Sequence, residues 1–245
     1  MVRAALSNET FSGGVFHRAI VILPGQGTVT ALVEDDLHHM RVTLGHDGTF
    51  ITAIEGEMIR APWSTCPGAP AVLAATFTGA RLADAGTVGA KKQNCTHLFD
   101  IAVLAAAHAL DAAPTRYDLC VEDPEDGVRH MTIARNGTHE MTWVERDRRF
   151  VEPPAIAGMG YKDMGAWIAS LDPAKEEMAR LLRGSAVISH GRQIPMESNR
   201  MPCAFRPIAT PSSPASANGP GGSAGSTTSP RRWIARSMGL AEPMR

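Results

Sequence analysis

One stretch limits the fold more than any other. Leu98 to Leu110 is made almost entirely of Leu, Ile, Val, Ala and Phe. A helix that is apolar on all sides has to be covered on all sides, so this segment reads as a buried core helix. Asn94 and Thr96 are both competent caps for its start, and Cys95 lies between them. A second cysteine, Cys66, stands in Pro62-Trp63-Ser64-Thr65-Cys66-Pro67-Gly68-Ala69, just before a shorter helical stretch from Pro70 to Phe77. Proline suits a first helical turn, where the N–H that it lacks would have no partner. Unpaired N–H groups and the positive dipole end favour thiolate over thiol at both cysteines. Lys91 and Lys92 add to this at Cys95. Two such thiols in one fold are candidates to share a ligand.

The residues before Pro62 read as strands. Val15 to Leu23 is rich in β-branched residues and is stopped by Pro24-Gly25-Gln26-Gly27. Thr28 to Leu44 follows as one long strand, then a hairpin turn at Gly45-His46-Asp47-Gly48 and a return through Thr49 to Ile59. This predicts an antiparallel meander with the two helices on one face. Alternation along the long strand puts Glu34, Asp36 and His38 on one side and Asp35, Leu37 and His39 on the other. Three adjacent acids are poor strand material. A bulge, a strand entry or a solvated edge are the plain readings of this segment; the sharper one is a ligand-rich segment facing the cysteines.

Beyond Ala112 the pattern turns back to strands, at Arg116–Val121, Arg129–Arg135 and Glu140–Val144, with Asn136-Gly137 as a hairpin signal. Tyr161 to Leu171 reads as an amphipathic helix. Asp172-Pro173 caps another that runs to Leu182, or on to His190. From Pro195 the chain is dominated by Pro, Ser, Gly, Ala and Thr, which bury too little apolar surface to offset chain entropy. The organisation that follows is a loose lead-in over 1–14, one α+β domain over 15–194 and a largely disordered tail over 195–245. Within that domain, 28–112 forms the core and 113–194 a β-rich and helical extension.

The formal net charge is −1 and the isoelectric point about 6.8, so no basic field points to nucleic acid or an anionic membrane surface. Four cysteines in 245 residues do not suggest a disulfide framework. With no signal-like run and no stretch approaching a membrane span, the expectation is a cytoplasmic protein. Gly-rich phosphate loops, Gly-x-Ser-x-Gly and His-Glu-x-x-His are absent.

Among the histidines, His97 and His108 are eleven residues apart, about 16 Å along a helix, so they cannot bind one metal together. His108, among alanines, reads as a satisfied core or surface histidine. His97 is the better site candidate, with Asp100 a turn further on to orient it. His38 and His39 point to opposite faces, so one of them at most joins a site. His97 and His38 are therefore the candidate acid–base residues. Cys120 and Cys203, in a strand and a tail, read as structural.

Glu34-Asp35-Asp36-Leu37-His38-His39-Met40-Arg41-Val42-Thr43-Leu44, Pro62-Trp63-Ser64-Thr65-Cys66-Pro67-Gly68-Ala69 and Cys95-Thr96-His97-Leu98-Phe99-Asp100 resemble the signature blocks of a bacterial family, domain of unknown function 2889. That resemblance spans roughly 12–195 and implies no established activity. Residues 34–112 are also distantly similar to iron–sulfur scaffold proteins of the NifU N-terminal type. There the cysteine of a Gly-Cys pair opens one helix, as Cys66 does here. The cysteine of a His-Cys pair opens the core helix, as Cys95 does here. A helix-ending glycine falls on Gly79, and the aspartate of the first block on Asp36.

The first ligand cysteine of those scaffolds is replaced by Glu34 and the histidine of the third block by Asn94. The resemblance thus implies a scaffold-like α+β fold and a meeting of Asp36, Cys66 and Cys95; a metal-binding reading adds Glu34 or His38 as a further ligand. Such a mixed donor set suits zinc or mononuclear iron better than an iron–sulfur cluster, which thiolates hold. The leading expectation is a metal-binding protein, with a metalloenzyme acting on a small organic substrate as its more specific form. Two alternatives stand beside it. One is a metal-free thiol enzyme with Cys66 or Cys95 as nucleophile and His97 or His38 as base. The other is a non-catalytic scaffold or carrier protein. Self-association is left open.

Overall fold

The computed structural model describes residues 14–62, 68–89 and 91–193. Eight strands form one antiparallel sheet in the order β4-β3-β2-β1-β5-β6-β7-β8. They are β1 (Val15–Gly25), β2 (Thr28–Asp35), β3 (His39–His46), β4 (Ile51–Arg60), β5 (Thr115–Glu122), β6 (Val128–Arg135), β7 (Thr138–Arg146) and β8 (Arg149–Glu152). The helices are α1 (Ala69–Phe77), α2 (Thr96–Ala107), α3 (Gly165–Ala169) and α4 (Pro173–Ser189), with short 3-10 turns between and after them. The α+β class and the antiparallel sheet agree with the expectation from sequence.

Register explains where the core sits. Ile20 pairs with Val33 and with Tyr117, while Val33 pairs with Met40 and Val121 with Met131. Side chains of paired residues share a face, and these all belong to one buried cluster with Leu73 and Phe77 of α1, Leu98 and Ala102 of α2, and Leu182 of α4. The helices therefore cover one face of the sheet. Close approach is helped by Gly56 on β4. A Cβ there would lie 3.2 Å from Leu73 and 3.3 Å from Leu98.

Local chemistry accounts for most boundaries. Asp172 caps α4 by accepting from the Lys175 N–H at 3.1 Å, and Pro173 occupies its first turn. Asn136 (φ 50°) and Gly137 (φ 84°) make the two-residue turn between β6 and β7 that favours this pair. The core helix starts at Thr96 with Cys95 at the cap position. Asn94, expected as a cap, instead donates through Nδ2 to Thr76 Oγ1 at 3.1 Å and ties the two helices together.

Three expectations need correcting. The long strand over 28–44 is two strands, because Asp35 closes a tight turn at 36–38. The helix expected over 161–171 is confined to Gly165–Ala169. A short eighth strand follows a turn at Asp147-Arg148, both at positive φ, which no glycine signalled. The expected disorder over 195–245, and most of the loose lead-in over 1–14, lie outside the described residues. Among those described, no helix is long and apolar enough to cross a membrane.

Candidate functional site

The β2–β3 turn meets the first turn of α2, and four polar side chains converge there. Asp35 is the hub. Its Oδ1 accepts from the backbone N–H groups of Leu37 and His38, each at 2.8 Å, which closes the turn. Its Oδ2 accepts from Arg18 Nε at 2.9 Å and from Arg18 Nη2. Sheet register brings this about, since Arg18 and Asp35 are direct partners across β1 and β2. His38 Nδ1 lies 3.0 Å from Asp35 Oδ1. Arg60 steadies the same turn by donating to the carbonyls of Asp35 and His38. Arg18, Asp35 and His38 are all buried.

The fourth member comes from α2. This helix lies across β2 and β3, so His97, in its first turn, reaches the His38 ring. The two centroids are 3.9 Å apart and the planes tilted by 32°.

The electrostatics are one-sided. Burial alone would raise the Asp35 carboxyl. The Arg18 guanidinium and the His38 hydrogen bond more than offset this and hold it well below the usual carboxylate range. An ionised carboxylate only accepts, so His38 donates through Nδ1, and its Nε2 is left as the nitrogen able to take a proton or a ligand. His97 is pushed down to about 3, first by burial and then by the neighbouring His38 and Arg18. It is therefore a neutral imidazole at physiological pH. The arrangement can present two imidazole nitrogens, one of them oriented by a carboxylate behind it.

The other expected site residues are placed as follows. Asp36 turns away from Asp35 and pairs with Arg192, Oδ2 to Nη1 at 3.1 Å. Glu34 pairs across the sheet with His39 and lies 3.6 Å from Arg60; burial raises its carboxyl, against the pull of Arg60. The expectation that Glu34, Asp36 and His38 share a face fails, because the turn interrupts the alternation. Asp100 does not orient His97. It is exposed and joined to Lys91, whose ammonium also sits 5.7 Å over the Phe99 ring. Cys95 holds the cap position of α2, half-buried against the core. Cys66 and Cys203 lie outside the described residues. Cys120 has an unexpected neighbour, His17 Nδ1 at 3.3 Å, on the sheet face away from the helices.

Sequence reasoning missed Arg18, Asp35 and Arg60 as site residues. A signal was there for Asp35: an aspartate can close a turn by accepting, through its carboxylate, from the backbone N–H groups two and three residues on. Nothing in the sequence pointed to Arg18, which depends on long-range pairing.

Among the described residues, no three His, Cys, Asp or Glu side chains converge in a way that could hold a metal ion. His38 and His97 supply two suitable nitrogens. A closed site needs further donors, and Cys66 is the sequence candidate for one. No protein-family model matches the chain, and no curated protein matches it.

Proposed function

We propose that the chain is a metal-binding protein centred on His38 and His97, with Asp35 behind His38 and with Cys66 and Cys95 as the candidate thiolate donors. The observation that carries this reading is the His38–His97 ring pair at 3.9 Å, with His38 Nδ1 engaged by Asp35. A histidine that ligates a metal usually gives its other ring N–H to a carboxylate, and His97 is kept neutral, as a ligand must be. The reading retains the two thiols singled out by the resemblance to iron–sulfur scaffolds. It sets aside Asp36 and Glu34, whose partners are Arg192 and Arg60.

Nitrogen with thiolate suits zinc or mononuclear iron. Such an ion, when bound with an open position, would supply Lewis-acid polarisation of a small substrate or a water. The chain's own part is to orient His38, keep His97 unprotonated and hold Asp35 ionised beside Arg18. The test is elemental analysis of protein purified without chelator, beside His38→Ala, His97→Ala and Cys66→Ser. Metal in the wild type that is lost in these variants is expected; a folded wild type without metal overturns the reading.

A second reading has its own observation. Arg18, Asp35 and His38 form a relay in which an anchored carboxylate fixes the tautomer of a histidine, the arrangement of a general base. It would act without metal, and would predict that His38→Ala abolishes activity while metal content is nil throughout.

A further inference from the structure

The end of the chain described here reaches back to the site. After α4 the 3-10 turn His190–Gln193 crosses the end of the sheet where β2 finishes, β1 begins and β5 finishes. Arg192 lies between two carboxylates there. Its Nη1 is 3.1 Å from Asp36 Oδ2 and its Nη2 is 3.5 Å from Asp123 Oδ2. Asp123 is itself buried and fixed to the start of β1, its N–H donating to the Gly14 carbonyl at 2.7 Å. Space at this junction is so limited that a Cβ on Gly14 would come within 2.6 Å of Asp123 and 2.7 Å of Arg192. Next to Arg192, Gly191 packs on Leu37, the middle residue of the β2–β3 turn; a Cβ on Gly191 would be 3.1 Å from Leu37 Cδ1.

The base of this segment is equally well anchored. His190 accepts through Nε2 from Arg129 Nη2 at 3.1 Å and donates through Nδ1 to the Val187 carbonyl at 3.2 Å. Arg129 is held in turn by Glu145, Tyr161 and Ser189, at 3.1, 2.7 and 3.3 Å. A rigid base thus carries Gly191 and Arg192 onto Asp36 and Leu37. These are the two residues between Asp35 and His38, so their position sets where the His38 ring stands.

We propose that Gly191 and Arg192 form a positioning strap that holds the Asp36–Leu37 turn so that the His38 ring lies against His97. The proposal rests on the reading that His38 and His97 are the functional centre, and it gives the second half of the chain a part in that centre. Arg192 is a positioning residue in this role, acting through Asp36 and touching neither histidine. A long cationic side chain suits the task because it lies between two carboxylates from different segments, Asp36 of the β2–β3 turn and Asp123 just after β5.

The test reads the ring pair itself. Nuclear Overhauser cross-peaks between the His38 and His97 rings are recorded on the full chain in chelator, for wild type, Arg192→Ala, Arg192→Lys and Asp36→Asn. Loss of the cross-peak in Arg192→Ala and Asp36→Asn, with recovery in Arg192→Lys, is the expected result. A cross-peak that persists in Arg192→Ala, even with a lowered melting temperature, overturns the proposal. So does its absence from the wild type. If Arg192→Ala does not fold, Asp36→Asn decides: loss supports the strap and persistence refutes it. Because chelator is present throughout, a failure of the metal reading would not be mistaken for a failure of the strap.

Discussion

Asp35 bears the most on whether the site exists. It is buried, it closes the turn, and it is shared by Arg18 and His38. Removing one partner of a buried ion pair leaves the other charge uncompensated, which typically costs about 3–5 kcal/mol. Asp35→Asn is therefore expected to lose stability on that scale in urea unfolding, whereas the exposed Asp100→Asn, opposite Lys91, should change it by less than about 1 kcal/mol. The pH dependence has a definite sign. A carboxyl held below its unfolded value contributes stability that is complete above about pH 4 and lost as pH falls toward the folded value. His97 acts over a wider window. Its folded value of about 3 lies below the unfolded value of about 6.5, so the unfolded chain binds more protons between them and stability falls as pH drops through that range. At this scale the sequence singled out His38 and His97, whose rings the fold brings together, but put Asp35 on the opposite side, because alternation was carried through a segment that turns.

Elements are joined by one further histidine. His108, at the end of α2, has Nδ1 2.6 Å from Asp111 and Nε2 3.1 Å from Glu177 of α4, and Tyr117 of β5 donates to the same Glu177. Burial alone would lower His108, but Glu177 and then Asp111 more than offset this and raise it. Its contribution is present in full below the unfolded value of about 6.5 and lost as pH rises through the folded value. His97 and His108 thus act with opposite signs. A series of urea unfolding curves against pH is expected to show a stability maximum, with His108→Gln flattening the alkaline side and His97→Gln the acid side. An unchanged alkaline side in His108→Gln would contradict the stabilising role of the His108 contacts to Glu177 and Asp111. Helix approach to the sheet has its own test in Gly56→Val, which forces side-chain atoms against Leu73 and Leu98. Overpacking of this kind typically costs about 1–3 kcal/mol, measurable by thermal unfolding. Strands and helices with strong local signals, such as the Asn136-Gly137 hairpin and the Asp172-Pro173 cap, were legible from residues alone. The eighth strand was not, since Asp147 and Arg148 take up the left-handed turn without a glycine.

For the whole molecule the decisive feature is β1, which pairs with β2 on one side and β5 on the other. The sequence suggested one domain over 15–194, with a core over 28–112 and an extension beyond it, and a single sheet runs through both parts without a break. Local patterns cannot reveal such a join, because it is made between residues about a hundred positions apart, as in Ile20 with Tyr117. A fragment of residues 28–112 lacks β1, uncovers the edge of β2 and loses Arg18 from the site. It is expected to show no cooperative unfolding transition by circular dichroism, whereas 14–193 should show one. The site likewise draws on several elements: Arg18 from β1, Asp35 at the end of β2, His38 from the β2–β3 turn, Arg60 from β4, His97 from α2.

The measurement that bears most directly on the proposed centre is metal content by elemental analysis, made on untagged protein purified without chelator beside His38→Ala and His97→Ala. About one equivalent of zinc or iron, absent from both variants while their folds persist, is the predicted result. A fully folded wild type that carries no metal, and takes none up from added zinc or iron, would contradict it.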